Sequence, residues 1–215
     1  SAGLTGKLER ITGLAFTPGL LLGALLLTGC SAPEPPELKQ ATLLPVAKAV
    51  ADFQLTDQAS RPFTLDNLKG RWTLAFFGYT NCPDVCPTSM AMLAQVQRQL
   101  EQDPDAAELP QVVFFSVDPE RDTPELLASF VPYFHASFIG VTGDPDQILK
   151  LTRQIGIIYG KTGGSGADDY LVDHSAAIIL FDPTGSFHAL FGVPHQPELI
   201  ASDFLAIRDY YEAVR

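Results

Sequence analysis

The run Trp72-Thr73-Leu74-Ala75-Phe76-Phe77 constrains the fold more than any other segment of the 215-residue chain. It has the length and composition of a strand and offers no polar face, so it predicts a central strand covered on both sides. Covering both faces calls for helices, and the next segment supplies one. Leu93, Val96 and Leu100 recur at helical spacing within Thr88 to Gln102.

The same alternation continues downstream. Val112 to Val117 reads as a second buried strand, and Asp122-Thr123-Pro124 opens a helix running towards Phe134, with Asp122 as its capping residue and a proline in the first turn. Phe138 to Val141 is a third strand candidate. Asp144-Pro145 then starts a helix whose Ile148, Leu151 and Ile155 share a face before Gly156 ends it. After Ile157 to Tyr159 and a glycine-rich loop from Lys161 to Asp169, strands Ala176 to Phe181 and Phe187 to Phe191 flank the turn Asp182-Pro183-Thr184-Gly185. A last helix spans Pro197 to Tyr211. Ahead of the central strand, Phe53 to Thr56 and Arg61 to Thr64 form a hairpin around Asp57 to Ser60. This order predicts an α/β sandwich with a mixed sheet flanked by helices and an N-terminal hairpin, without internal repeats.

The first thirty residues are of another kind. Lys7 and Arg10 precede a nearly uncharged, leucine-rich run from Ile11 to Gly29, the pattern of an export signal. Its strongly apolar part, Leu20 to Leu27, is far shorter than the ~20 residues a spanning helix needs. The run closes on Leu27-Thr28-Gly29-Cys30, which resembles a bacterial lipobox and implies lipidation of Cys30 with removal of residues 1–29. Ser31 to about Lys48, including Ala32-Pro33-Glu34-Pro35-Pro36, reads as an extended spacer. The expected organisation is a signal segment over 1–29, a Pro-rich tether over 30–49 and a folded domain over 50–215.

Charge and composition exclude other classes. A formal net charge of −11 argues against nucleic acid, whose affinity comes from Lys and Arg on phosphates. Apolar content of 46% with 14 Phe excludes a disordered chain. Three cysteines do not make a disulfide framework, so each is read singly.

Two of them lie between the central strand and its helix, in Gly78-Tyr79-Thr80-Asn81-Cys82-Pro83-Asp84-Val85-Cys86-Pro87-Thr88. Reactive groups of open α/β sheets gather at such strand ends, and a helix N-terminus lowers a thiol pKa. Pro87 lacks the N–H of a continuing helix, so it is expected to be the first helical residue, with Cys82 to Cys86 as a loop over the helix start. Helix or loop, the spacing brings two sulfurs onto one metal ion or into one disulfide.

That string, with Asp118-Pro119-Glu120-Arg121-Asp122-Thr123 and Asp173-His174 downstream, resembles the Sco (SenC) copper chaperones from about Val50 to Tyr211. The resemblance implies a thioredoxin-like fold, copper bound by Cys82, Cys86 and His174, and a role in maturing the binuclear copper centre of cytochrome c oxidase subunit II. It also implies a location tethered to a membrane, here on the periplasmic face of a bacterial cell envelope, and a partner that supplies copper or reducing equivalents. Asp118, Asp122 and Asp173 are supporting candidates beside the site. Where a redox thioredoxin carries a Pro before the strand facing its thiols, this chain has Asp173-His174.

The donor chemistry agrees. Two thiolates and an imidazole form a soft site suited to Cu(I), with Cu(II) as the second state, although thiolates also favour Zn and the residues alone do not fix the metal. Structural zinc takes four protein ligands, and only three converge here. Other readings stay open. The pair can serve a thiol oxidoreductase with Cys82 attacking and Cys86 resolving, a peroxidase passing through a sulfenic acid, or a copper or redox sensor. His135, His188 and His195 are expected to be solvated or packed, Met90 and Met92 to belong to the core.

Overall fold

The computed structural model describes residues 33–163 and 170–215, and of Asp173 and His174 the backbone alone. The strands are β1 (Ala41–Lys48), β2 (Gln54–Asp57), β3 (Pro62–Thr64), β4 (Thr73–Gly78), β5 (Gln111–Ser116), β6 (Ile139–Thr142), β7 (Tyr159–Thr162), β8 (Leu171–His174), β9 (Ile178–Phe181) and β10 (Phe187–Phe191). The helices are α1 (Val85–Gln102), α2 (Pro124–Phe134), α3 (Pro145–Ile155) and α4 (Pro197–Ala213). One eight-stranded sheet has the order β1-β10-β9-β4-β5-β6-β2-β3, and β7 and β8 form a separate two-stranded ribbon. β4, β5 and β6 run parallel, joined by α1 and α2, while β9 returns antiparallel to β4. The sheet is therefore mixed, and the expected hairpin β2–β3 is its far edge, held to β6.

β4 sits where the apolar run demanded. All six of its residues are buried, and its Phe77 stacks on Phe115 of β5 with ring centroids 4.9 Å apart. Burying each such ring contributes roughly 1.5–3 kcal/mol. α1 covers the sheet with Met90, Leu93, Val96 and Leu100, at the i, i+3, i+4 spacing of a single stripe, and packs on α4. Met90 and Met92 are thus core residues. α3 starts on the Asp144 cap, whose carboxylate accepts from the N–H of Asp146 and Gln147, and ends on Gly156 at φ 74°, a left-handed position that favours glycine.

The spacer expected over residues 31–48 is corrected in its second half. Ala41–Lys48 is β1, paired antiparallel to β10, with a register irregularity between Leu43 and Lys48 that accommodates Pro45 at the sheet edge. What recruits it is distant in sequence. The buried Asp203 carboxylate of α4 accepts from the backbone N–H groups of Lys39, Gln40 and Ala41 at 2.7–3.1 Å. The folded unit accordingly begins ahead of Val50. Among the described residues no helix is long and apolar enough to cross a membrane.

Hydrogen bonds to a charged group are the stronger kind, so Asp203→Ala should cost about 2 kcal/mol. Amide exchange should accelerate at residues 39–43 and stay slow in β4. Urea unfolding together with exchange of the same protein checks this, and unchanged protection at β1 would contradict it.

Candidate metal centre

The site is built on the carboxyl end of β4. Gly78 closes that strand, and a Cβ placed on it would lie 2.9 Å from the Cys86 sulfur and 3.0–3.1 Å from the rings of Phe76 and Phe114. Only glycine lets the sulfur settle onto the strand end. Cys86 is fully buried, whereas Cys82, on the loop between β4 and α1, is half-buried. The Cys86 N–H donates to the Cys82 sulfur at 3.5 Å.

The structure corrects the start of α1. The helix begins at Val85, so Cys86 belongs to its first turn and Pro87 follows inside it. The first N–H groups of a helix have no intrahelical acceptor, so proline costs nothing there. The pair therefore consists of one loop cysteine and one helical cysteine.

Electrostatics separates the two thiols. Burial alone would raise Cys82, but the N–H groups of Asp84, Cys86 and Val85 and the Cys86 thiol converge on its sulfur and hold it below the usual cysteine value. This is the helix N-terminus acting on a thiolate. Burial drives Cys86 the other way, well above the ordinary thiol range, and the nearby Cys82 charge adds to the rise. Cys82 is therefore the more acidic of the two thiols, with the Cys86 thiol hydrogen-bonded to it.

Asp122 is not the cap of α2. Thr123 takes that role, its hydroxyl accepting from the Leu126 N–H at 3.3 Å, and Asp122 turns inward. Its buried carboxylate accepts from the Thr80 N–H at 3.0 Å, the Thr80 hydroxyl at 2.6 Å and the Ser116 hydroxyl at 2.7 Å. Burial pushes its pKa up despite these donors. A sequence pattern places both residues at the helix start, but only the tertiary donors on Thr80 and Ser116 decide which one caps. Asp122 thereby ties the root of the cysteine loop to β5.

Asp118, also buried, pairs with Arg121 and accepts from the Tyr170 hydroxyl at 2.6 Å. Sequence reasoning missed Thr80, Arg121, Tyr170 and Tyr79. The Tyr79 hydroxyl is hydrogen-bonded to the Val172 backbone and the Cys82 side chain, and burial raises its pKa. Polar residues inside the motif strings were the available signal for the first two.

β8 ends at His174, opposite Tyr159 of β7, so the histidine lies at the end of a ribbon that the sequence pattern did not reveal. The side chains of Asp173 and His174 lie outside the described residues, as does Cys30. Among the described residues no group of three or more His, Cys, Asp and Glu forms a metal site. The other histidines are packed. His188 bonds Asp182 at 3.0 Å between Trp72 and Tyr211, His135 bonds Ser137 at 2.8 Å, and His195 reaches the Phe191 carbonyl at 3.3 Å.

A mixed sheet with two cysteines at the junction of its central strand and first helix defines a thioredoxin-like dithiol protein. The family model described as SCO1/SenC matches residues 42–208, and the chain belongs to that family. The mitochondrial SCO2 homolog of Mus musculus is 40% identical over 149 residues, 69% of this chain and 58% of that protein, so the chain spans less than two thirds of that relative. ScoI of Bradyrhizobium japonicum with copper bound is 39% identical, with a TM-score of 0.65 over 75% of this chain and 99% of that one. BsSco, described as a member of the Sco family of cytochrome c oxidase assembly proteins with a disulfide switch, is 26% identical, with a TM-score of 0.61 over 80% and 97%.

The thiol asymmetry has a direct consequence. In the reduced chain iodoacetamide should label Cys82 at least about tenfold faster than Cys86 near neutral pH, because the thiolate is the reacting form. Peptide mass spectrometry of a labelling time course checks this, and equal rates would contradict the assignment.

Proposed function

We propose that the chain is a copper chaperone that holds Cu(I) between Cys82, Cys86 and His174 and helps assemble the binuclear copper centre of cytochrome c oxidase subunit II. The observation that carries this reading is the pairing of two sulfurs at one helix start in a chain 39% identical to a protein solved with copper bound. Soft thiolates select Cu(I), and a site with few ligands releases its cargo to an acceptor more readily than a closed one. Copper is the cargo, as Cu(I) on this thiol-rich site and as Cu(II) if it is oxidised there. A copper donor or a thiol reductant is the second partner.

The location follows from the N-terminal segment. In this reading Cys30 carries lipid, residues 1–29 are removed, and the Pro-rich stretch from Cys30 to about Gln40 tethers the folded domain to the periplasmic face of a bacterial membrane. The supporting residues are Asp122, which fixes the cysteine loop, and Asp118 beside it, with Asp173 next to the proposed histidine ligand.

A second reading, thiol–disulfide oxidoreductase acting on the target's cysteines, is favoured by the split between the thiols. A lowered Cys82 and a raised Cys86 suit attack by the first and resolution by the second. The disulfide switch described for BsSco accords with it. His174 separates the readings, because exchange needs the thiols alone while the chaperone needs the imidazole.

Three outcomes follow for copper. The reduced full chain should bind one Cu(I), and Cys82→Ser with Cys86→Ser should abolish binding. Since the raised Cys86 thiol must lose its proton to bind, affinity should fall about tenfold or more per pH unit on acidification. His174→Ala should weaken Cu(I) while sparing disulfide reduction. Competition titration against a Cu(I) chelator checks the affinities and a disulfide-reduction assay on the same His174→Ala protein checks the exchange rate, and unchanged uptake by the double variant would exclude this site. Separately, the intact mass of protein extracted from membranes should begin at a lipidated Cys30. Retention of residues 1–29 would contradict the anchor.

A further inference from the structure

The β7–β8 ribbon carries His174 but is not hydrogen-bonded into the main sheet. A two-stranded ribbon alone is marginal in water, so its position depends on what grips it. The grip is at Tyr170, one residue before β8. The Arg121 guanidinium lies 3.8 Å from the Tyr170 ring centroid, and its NH1 donates to the Tyr170 carbonyl at 3.1 Å. The Tyr170 hydroxyl donates to Asp118 at 2.6 Å, and Asp118 in turn pairs with Arg121. Lys161 of β7 approaches the same ring at 4.4 Å and bonds Glu120 at 2.6 Å.

The polar contacts that grip Tyr170 and Lys161 come from one short loop, residues 118–122, while Val172 of β8 packs into the core and its backbone bonds the Tyr79 hydroxyl. The far end of the 118–122 loop is Asp122, which holds Thr80 at the root of the cysteine loop. The two sides of the proposed copper site are therefore fastened to the same bracket, the thiol side through Asp122 and the histidine side through Asp118 and Arg121.

We infer that Arg121 and Tyr170 form a latch that positions the His174 ribbon against the cysteine loop and sets how fast copper is released. Arg121 is a positioning residue, acting through His174 rather than on the metal. The inference rests on the chaperone reading above. The latch holds the ribbon when Arg121, Asp118 and the Tyr170 ring are engaged, and parting them frees the histidine side while the dithiol stays fixed.

The test uses the full chain with Arg121→Gln and with Tyr170→Leu. The second variant leaves the buried Asp118–Arg121 ion pair intact, so it remains informative if the first fails to fold. In the metal-free protein, amide exchange over residues 159–163 and 170–174 should rise at least tenfold in both variants, with β4 and β5 unchanged. In the Cu(I)-loaded protein, release to a bicinchoninate chelator should be at least tenfold faster. In the His174→Ala background neither substitution should change the release rate further, an outcome that a merely structural role would not give. Release at the native rate, acceleration that persists without His174, or exchange that rises equally in β4 would each overturn the latch. If the unaltered chain takes up no Cu(I), the chaperone reading fails, and the latch then stands or falls on ribbon exchange alone.

Discussion

The packing of the Cys86 sulfur onto Gly78 is the contact on which the site depends. It exists because β4 is buried over its whole length, so the strand end presents bare backbone to the first turn of α1. Protein interiors are close-packed, and a side chain at position 78 would have to displace the sulfur or the rings of Phe76 and Phe114. One thiol is thereby sealed in apolar surroundings while the other stays half-exposed in the loop. The raised Cys86 follows from this placement, while the N–H groups of Asp84, Val85 and Cys86 at the helix start lower Cys82. Two residues of one type thus differ because burial dominates at Cys86 and hydrogen bonding at Cys82.

A second constraint comes from β5. Its last residue, Ser116, and the loop behind it supply the donors and charges that hold both flanks of the site, with Asp122 towards Thr80 and Asp118 towards Tyr170. Buried carboxylates are costly unless fully hydrogen-bonded, and both of these are bonded to the segments that must be held. The same polar cluster that satisfies the interior therefore fixes the geometry of the surface above it.

Much of this was legible from the residues. The apolar run at 72–77, the helix signals at Asp144-Pro145 and Gly156, and the turn at Asp182 to Gly185 are local, and the elements they mark lie within a few residues of expectation. The cysteine motif was legible for the same reason. What escaped depends on partners far apart in the chain. β1 reads as a spacer because its ATLLPVAK sequence contains a proline and its recruiting groups, Asp203 and β10, lie some 150 residues away. Asp122 reads as a cap because Thr123, beside it, is equally suited, and only Thr80 and Ser116 decide between them. The β7–β8 ribbon is hidden by a glycine-rich stretch with weak alternation, and Tyr170 acquires meaning only once Arg121 is seen against its ring.

The central claim is that two unlike thiols and one histidine on a separate ribbon make a single copper site. X-ray absorption at the copper K-edge of the Cu(I)-loaded full chain tests it most directly. The account predicts a first shell of two sulfur scatterers and one imidazole nitrogen, with the nitrogen contribution lost in His174→Ala. A shell of sulfur alone in the unaltered chain, or one of nitrogen and oxygen without sulfur, would contradict it.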